Sequence, residues 1–171
     1  FASVSGGKDS SAMALHFIEK GYSFTPFFID VGWEESQTYE YVRDVLPKHI
    51  GPIKWLVPKI KLKPEDDEIA KQFEKRIGYH SAMIRLILKK SAFPGKMRRF
   101  CTQVLKAELV RDFYLDHPGP KEPINAVGIR HEESSRRAKM PEWEFSETYD
   151  CRIWRPLVDW TRKDVIAIHT R

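Results

Sequence analysis

The sequence has little cysteine and no long apolar run. Only Cys101 and Cys151 occur among its 171 residues, too few to cross-link a secreted scaffold or to supply the four thiolates of an iron–sulfur cluster or structural zinc site. No segment approaches the roughly 18 apolar residues that a membrane-spanning helix needs, and the chain does not open on a signal-peptide pattern. These absences predict a cytoplasmic protein with reduced thiols, no iron–sulfur cluster and no membrane partner.

What the sequence contains is typical of a globular protein. Hydrophobic residues make up 42% and charged residues 31%, and 29 Lys and Arg against 24 Asp and Glu give a net charge of +5. This balance favours anionic partners, and phosphorylated small molecules satisfy it as well as nucleic acid does. The length predicts one domain over residues 1–171. Because the chain begins at Phe1 and stops soon after a helix start, we expect it to be truncated at both ends.

Apolar runs alternate with helix-periodic segments along the chain. A strand is predicted at 1–4, a helix at 10–20 closed by Gly21, and a second strand from Phe24. Further helices are predicted at 34–50, at 64–90, at about 102–114 and from Thr161. Pro47 should end or kink the first of these helices. Further strands are predicted at 53–57, 124–129 and 153–157. A surface break is expected at 117–120 and a charged loop at 130–139. Strand–helix–strand alternation predicts an α/β fold with a parallel sheet.

The stretch SGGKDSS lies between the first strand and the first helix. Glycines allow backbone N–H groups to approach an anion closely, and a helix start adds its positive dipole end. Lysine supplies a mobile charge and serine a hydroxyl donor, so phosphate is the ligand that we expect. The candidate binding residues are Ser5, Gly6, Gly7, Lys8, Asp9, Ser10 and Ser11.

Asp9 is the residue of this stretch that does not suit an anion. A carboxylate beside phosphate is repulsive unless it binds Mg²⁺ or caps the helix. We therefore name Asp9 as the candidate metal ligand. The alternative for the whole stretch is a Gly-Ser turn that only caps a helix.

The contiguous Gly6, Gly7 and Lys8 differ from the Walker loop, which requires G-x-x-x-x-G-K-[ST]. SGGKDS instead resembles the PP-loop of the adenine nucleotide α-hydrolase superfamily. The resemblance implies a three-layer α/β/α fold with a mostly parallel central sheet. It also implies binding of the ATP pyrophosphate and, in most members, cleavage between the α and β phosphates.

Three later segments narrow the resemblance to the phosphoadenosine phosphosulfate (PAPS) reductase family. RRFCT followed by Lys106 is similar to the family's R-[RW]-x-C-[TC]-x-x-x-K segment. Residues 128–138, GIRHEESSRRA, are similar to G-[IV]-R-x-x-E-S-x-x-R-A, and residues 155–165 to RPL-x-DW-[TS]-x-x-DV. In the first segment, Cys101 is either a small buried residue or a reactive thiol. The acidic residues at 132–133 are either solvated loop residues or catalytic groups.

The resemblance also implies roles for single residues. Arg99, Lys106 and Arg130 are expected at the α-phosphate or the acceptor, together with Lys8 at the β and γ phosphates. The alternative for the basic cluster around Arg99, which includes Lys96 and Arg98, is a solvated basic face. Asp30 ends FIDVG where family members have D-T-G, near the adenine and ribose.

Two departures from the family's sulfite-forming members shape the predicted function. Those members usually have a degraded PP-loop and a C-terminal E-C-G-x-H cysteine, whereas this chain has an intact SGGKDS and no such motif. The leading hypothesis is an ATP pyrophosphatase that uses Mg²⁺ to adenylate an unidentified acceptor, with sulfur metabolism as the expected context.

Two alternatives remain open. One is a thiol-dependent reductase of PAPS or of adenosine phosphosulfate (APS), whose thiol donor is unidentified and whose catalytic tail lies beyond residue 171. The other is a non-catalytic nucleotide-binding subunit of a sulfate-activation type complex. A further copy of the chain and a partner subunit are both open as protein partners.

Overall fold

The computed structural model describes residues 1–95, 98, 100–116 and 122–171. Six strands of these residues form one sheet in the order β3-β2-β1-β4-β6-β5. The strands are β1 (Ala2–Ser3), β2 (Pro26–Ile29), β3 (Lys54–Leu56), β4 (Ile124–Val127), β5 (Trp143–Ser146) and β6 (Cys151–Trp154). β1 pairs in parallel with β2 and β4, β4 pairs in parallel with β6, and β5 pairs antiparallel with β6. The predicted α/β class with a mostly parallel sheet is confirmed.

The helices follow the predicted order. They are α1 (Lys8–Lys20), α2 (Ser36–Glu40), α3 (Pro47–Ile50), α4 (Pro64–Ile77), α5 (Ala82–Lys90), α6 (Phe100–Thr102), α7 (Glu108–Asp116) and α8 (Arg162–His169). π-Helical turns at Tyr41–Val45 and Gln103–Ala107 join α2 to α3 and α6 to α7, and 3₁₀ turns occupy His131–Glu133 and Arg137–Lys139. α8 begins with a capping box, in which the Thr161 hydroxyl accepts from the Asp164 N–H.

Some predicted boundaries were wrong. The helix predicted at 64–90 is two helices, because Gly78 adopts a left-handed conformation with φ +84° and Ser81 caps the start of α5. The interruption predicted at Pro47 is present, by contrast: the Leu46 N–H bonds to Tyr41 O in a π turn, and Pro47 then begins the separate helix α3, where a missing N–H has no cost. The edge strand β5 was not predicted. The predicted break at 117–120 lies outside the described residues.

The chain forms two compact units. The first comprises Phe1–Phe28, Glu35–Trp55 and Pro118–Arg171, and the second comprises Ile29–Glu34 and Leu56–His117. In the first unit, helices α1 and α8 pack together over the sheet through the buried residues Met13, Phe17, Val165 and Ile168. The second unit has its own apolar cluster of Val31, Ala82, Leu86 and Leu105.

Both cysteines are free thiols. Cys151 is buried in the first unit, and burial raises the pKa of its thiol to about 11, so it is an unreactive core residue. Cys101 packs partly buried against the apolar cluster of the second unit. This position favours the packing interpretation of Cys101. None of the helices in the described part of the chain is long and apolar enough to cross a bilayer.

Candidate functional site

The stretch SGGKDSS lies where the strand order of the sheet reverses. From β1 the chain moves outward to β2 and β3, and it later returns to the other side of β1 as β4. Parallel α/β sheets bind ligands at the carboxyl ends of the strands beside such a reversal. Residues 5–7 follow β1 and residues 128–130 follow β4, so both segments lie at that edge within the first unit.

Glycine is required at the first turn of this loop. Gly6 has φ +76°, and a Cβ there would lie 2.8 Å from Thr38 Cγ2 and 3.0 Å from Val42 Cγ2. Gly7 is the N-cap residue of α1 and has no side chain that could cap the helix. The first N–H groups of α1 have no acceptor within the helix, so this end is suited to an anion. Helix α1 begins two residues earlier than predicted, which brings Lys8 and Asp9 into its first turn.

The serine hydroxyls of the loop are engaged within it. Ser10 Oγ accepts from the Ser5 N–H at 3.0 Å, lies 3.1 Å from Ser5 Oγ and donates to Gly7 O at 3.0 Å. Ser11 is completely buried, and its Oγ has no hydrogen-bond partner among the described residues. The hydroxyls of Ser5 and Ser10 therefore close the loop, and the backbone N–H groups and Lys8 are the donors best placed for a phosphate.

Lys8, Asp9 and Arg130 form a chain of charges. Lys8 Nζ lies 2.5 Å from Asp9 Oδ2, and Arg130 Nε donates to Asp9 Oδ1 at 2.6 Å. The side chain of Lys8 is 50% exposed, whereas those of Asp9 and Arg130 are 11% and 4% exposed. Burial by itself raises the pKa of Asp9, but the hydrogen bonds and charges of Lys8 and Arg130 outweigh it, so this pKa is lowered. Asp9 is thus a buried carboxylate at neutral pH.

Arg130 is held on all sides by protein acceptors. Besides Asp9, its Nη1 donates to Glu132 Oε2 at 3.0 Å and to Trp160 O at 3.3 Å, and its backbone N–H donates to Glu133 Oε2 at 2.8 Å. Burial by itself lowers the pKa of Arg130, but the pairs with Asp9 and the two glutamates outweigh it and raise it. In this arrangement Arg130 is an anchor. Its predicted contact with a phosphate stays a prediction.

Gly128 brings the end of β4 directly against the loop. A Cβ at Gly128 would lie 2.5 Å from Asp9 O and 2.7 Å from Ser10 Cα, closer than real Cβ contacts. A side chain here would push the first turn of α1 away from β4. In the sequence, Gly128 stands out only as part of a motif, because the need for glycine arises from a contact with Asp9, 119 residues away along the chain.

In this conformation the groups around Asp9 do not suit a carboxylate that binds magnesium. Both carboxylate oxygens already accept from cationic groups, and the part of the chain that the structure describes has no group of three or more His, Cys, Asp or Glu arranged for a metal. Mg²⁺ is usually held by one or two carboxylates together with substrate phosphates. A metal at Asp9 has to displace Lys8 or Arg130 first.

The remaining candidate residues lie in the second unit or outside the described residues. Asp30 Oδ1 accepts from the Gly32 N–H at 2.9 Å, which stabilises the turn after β2. Lys106 is exposed on the π turn Gln103–Ala107, and Arg98 is also exposed. Arg99 and Lys96 lie outside the described residues. The roles expected for Asp30, Lys106 and Arg99 stay predictions.

Two contacts of the site were missed in the sequence. Glu132 accepts from Arg130 and also from the Arg162 N–H at 2.9 Å, at the first residue of α8. At the other end of α8, His169 Nε2 donates to Lys8 O at 2.8 Å. No local pattern indicates either contact, because His169 and Lys8 are 161 residues apart.

Comparison with known proteins identifies the family. A profile of the phosphoadenosine phosphosulfate reductase domain matches residues 1–170. The chain belongs to this PAPS reductase family. The match includes the loop after β1, the segment 98–106, residues 128–138 and residues 155–165. The family recognised from these motifs is therefore confirmed.

One curated relative and two solved structures resemble this member of the PAPS reductase family. An uncharacterized 37.8 kDa protein from the gpa 5′ region of Escherichia phage 186 is 33% identical over 198 residues. That match covers 99% of this chain and 59% of the phage protein, so the chain spans about three-fifths of the length of this curated relative.

The structure of PAPS reductase from Candida auris, in a phosphate complex, superposes with a TM-score of 0.63 at 20% identity, covering 99% of this chain and 70% of that one. This likeness shows that the chain has the same fold as that PAPS reductase. A predicted subunit of tRNA methyltransferase from Methanocaldococcus jannaschii gives a TM-score of 0.41 at 17% identity, covering 98% of this chain and 73% of that one.

Proposed function

We propose that this PAPS reductase-family chain binds MgATP at residues 5–11 and cleaves it between the α and β phosphates, transferring the adenylyl group to an acceptor. The observation that carries the proposal is the intact loop at the reversal of the strand order. Gly6 shapes this loop, the N-cap of α1 is Gly7 with no side chain capping the helix, and the half-exposed Lys8 is the first residue of that helix. A loop with this many donors suits a polyphosphate better than the single 5′-phosphosulfate of PAPS.

The reaction is a displacement at the α-phosphorus. A nucleophilic atom of the acceptor forms a bond to this phosphorus, the bond to the bridging oxygen of the β-phosphate breaks, and pyrophosphate leaves with the electron pair. The loop N–H groups and Lys8 stabilise the charge that develops on the leaving pyrophosphate. Mg²⁺ enters as part of the nucleotide substrate and neutralises phosphate charge.

The family resemblance supplies the rest of the proposed site. It assigns Lys106 and Arg99 to the α-phosphate or the acceptor and Asp30 to the adenine and ribose. The exposed ammonium group of Lys106 is compatible with such a role. We place the reaction in the cytoplasm and in sulfur metabolism, because the sequence pattern and the family favour this setting.

The competing function is reduction of PAPS or APS to sulfite with an external thiol donor, and the family membership is the observation that favours it. The third possibility is a nucleotide-binding subunit that works beside a partner protein.

Product analysis separates the three functions. The purified chain is incubated with ATP and Mg²⁺, with and without a small-molecule cell extract as the source of acceptor, and in parallel with PAPS and a dithiol. The proposal expects pyrophosphate rather than orthophosphate from ATP, with the rate reduced in Lys8→Ala and unchanged in Lys20→Ala, a control at the other end of α1. Sulfite from PAPS without pyrophosphate from ATP contradicts it, and nucleotide binding without either product indicates the subunit function.

A further inference from the structure

We propose that Asp9 is a positioning residue of the nucleotide site: paired with Arg130, it ties the first turn of α1 to the segment after β4, and it does not ligate Mg²⁺. The inference rests on the proposed function, since it concerns the same loop. Its first observation is that both oxygens of Asp9 are committed, Oδ1 to Arg130 Nε at 2.6 Å and Oδ2 to Lys8 Nζ at 2.5 Å.

The partner of Asp9 is itself fixed. The Arg130 side chain is 4% exposed and also donates to Glu132 and Trp160 O. A buried guanidinium that loses one of its two carboxylate partners is compensated only in part, so the pair with Asp9 is costly to break. The fixed position of Arg130 therefore fixes the carboxylate of Asp9 as well.

Helix α8 braces this network at both of its ends. Its first residue, Arg162, donates its N–H to Glu132 at 2.9 Å, and its last residue, His169, donates to Lys8 O at 2.8 Å. Between these contacts, Gly128 allows the backbone after β4 to touch the backbone of Asp9. The contacts with Arg130, His169 and Gly128 thus hold the first turn of α1. They keep the N–H groups that we propose for phosphate binding in a fixed direction.

A metal at Asp9 is incompatible with this arrangement. Mg²⁺ demands near-ideal octahedral geometry and competes poorly for a carboxylate that two cations already neutralise. Displacing Arg130 deprives a buried guanidinium of one of its two carboxylates, and displacing Lys8 brings an ammonium group and a metal ion together at one carboxylate. Bound Mg²⁺ would then be held by the nucleotide phosphates without Asp9.

The first experiment measures ATP binding by calorimetry for the parent and for Asp9→Asn, in Mg²⁺ and in EDTA. We expect Asp9→Asn to change the dissociation constant of ATP by the same factor in both conditions, within about twofold. A metal ligand predicts another result, a loss of about tenfold or more in Mg²⁺ and none in EDTA. That result overturns the proposal. Asp66→Asn, which changes an aspartate in the first turn of α4 in the second unit, is the matched control.

The second experiment uses no nucleotide, so it remains decisive if the parent fails to bind ATP and the proposed function falls. Urea midpoints are measured for Asp9→Asn, Arg130→Gln and the double variant. We expect the double variant to unfold at a higher urea concentration than the sum of the two single shifts predicts, because the second change removes the residue whose partner the first change had already neutralised. Additive shifts overturn the pairing. If Arg130→Gln does not fold, Arg130→Met replaces it, because methionine also removes the charge.

The third readout separates positioning from stability. If Asp9 acts on the loop through Arg130, the two changes are non-additive in ATP affinity as well. The double variant then binds ATP as tightly as the single variant that has the lower ATP affinity. Arg155→Gln is the matched control, since Arg155 is buried to the same degree and pairs with Glu144 outside the loop. It should lower the urea midpoint and leave ATP affinity unchanged. Additive losses in ATP affinity contradict a common action of Asp9 and Arg130.

Discussion

The two compact units each contain a largely buried arginine between two carboxylates. The two networks differ in the further groups that these carboxylates contact. In the second unit, Arg85 donates to both oxygens of Glu74 at 2.8 and 2.9 Å and to Asp67 at 2.6 Å. Glu74 is shared with the backbone N–H of Ser81, so this network joins α4 to the start of α5. In the first unit, the carboxylate of Asp9 is shared between Arg130 and the half-exposed Lys8.

The difference shows that a buried ion pair does not by itself mark a functional site. The Arg85 side chain is 12% exposed, and nothing around it indicates a ligand site. The carboxylates paired with it, those of Glu74 and Asp67, otherwise contact only the backbone and surface groups. The Arg130 network leads to an exposed cation at a helix start with free N–H groups. We therefore expect changes around Arg85 to act on folding, and changes at Lys8 to act on nucleotide binding.

Removing Arg85 should have the largest effect of the changes considered. Arg85→Met leaves the nearly buried Glu74 without its bidentate partner, and breaking such a pair typically costs about 3 kcal/mol or more of the free energy of unfolding. Urea unfolding measures this loss, and calorimetry should find ATP affinity unchanged. Arg43→Met, which removes an exposed pair with Asp44, is the control and should leave the urea midpoint unchanged. Equal midpoints for Arg85→Met and the parent contradict the structural role of this network.

Removing Lys8 should produce the opposite pattern. Lys8→Ala deletes the cation at the mouth of the loop, and a hydrogen bond to an ionised donor is worth about 1.5 to 3 kcal/mol, or about 10- to 150-fold in the dissociation constant of ATP. The urea midpoint should hardly move, because the Lys8 side chain is half-exposed. Calorimetric titration beside Lys20→Ala tests the prediction. Unchanged ATP affinity removes the loop from the site.

Gly128→Ala tests the geometry of the first network without altering a charge. The new methyl group lies 2.5 Å from Asp9 O, and relieving such an overlap typically costs about 1–3 kcal/mol of the free energy of unfolding. We expect ATP affinity to fall as well, since the first turn of α1 has to move. Gly95→Ala should change neither quantity, because no heavy atom of the described residues, apart from the chain neighbours, lies within 4 Å of the added Cβ. A Gly128→Ala variant with parental stability and affinity contradicts the close contact.

The pH dependence of stability should give the smallest effect. The hydrogen bond from Arg85 lowers the pKa of Glu74, and those from Lys8 and Arg130 outweigh burial and lower the pKa of Asp9. Groups with a lowered folded pKa stabilise the fold above their ordinary value of about 4 and lose this contribution as the pH falls below it. The contribution of these two carboxylates to the urea midpoint should be level from pH 7 to 5 and should be lost below about pH 4. In Arg85→Met the fall should be shallower; an equally steep fall assigns the acid sensitivity to other groups.

Local features of the chain could be predicted, and distant contacts could not. SGGKDSS predicted the turn, and the start of α1 to within two residues, because glycine conformation and helix capping are set by adjacent residues. The pairs Asp9–Arg130 and Lys8–His169 join residues 121 and 161 positions apart, and their partners carry no local signal. The break at Gly78 was missed because helical periodicity continues on both sides of it.

The central claim is that the loop is built for a nucleotide with a pyrophosphate group. The most direct test is a side-by-side calorimetric titration of the purified chain with ATP, PAPS and APS, each in Mg²⁺. The account predicts that ATP binds more tightly than either phosphosulfate and that Lys8→Ala removes most of this preference. A clear preference for PAPS that is unaffected by Lys8→Ala contradicts it.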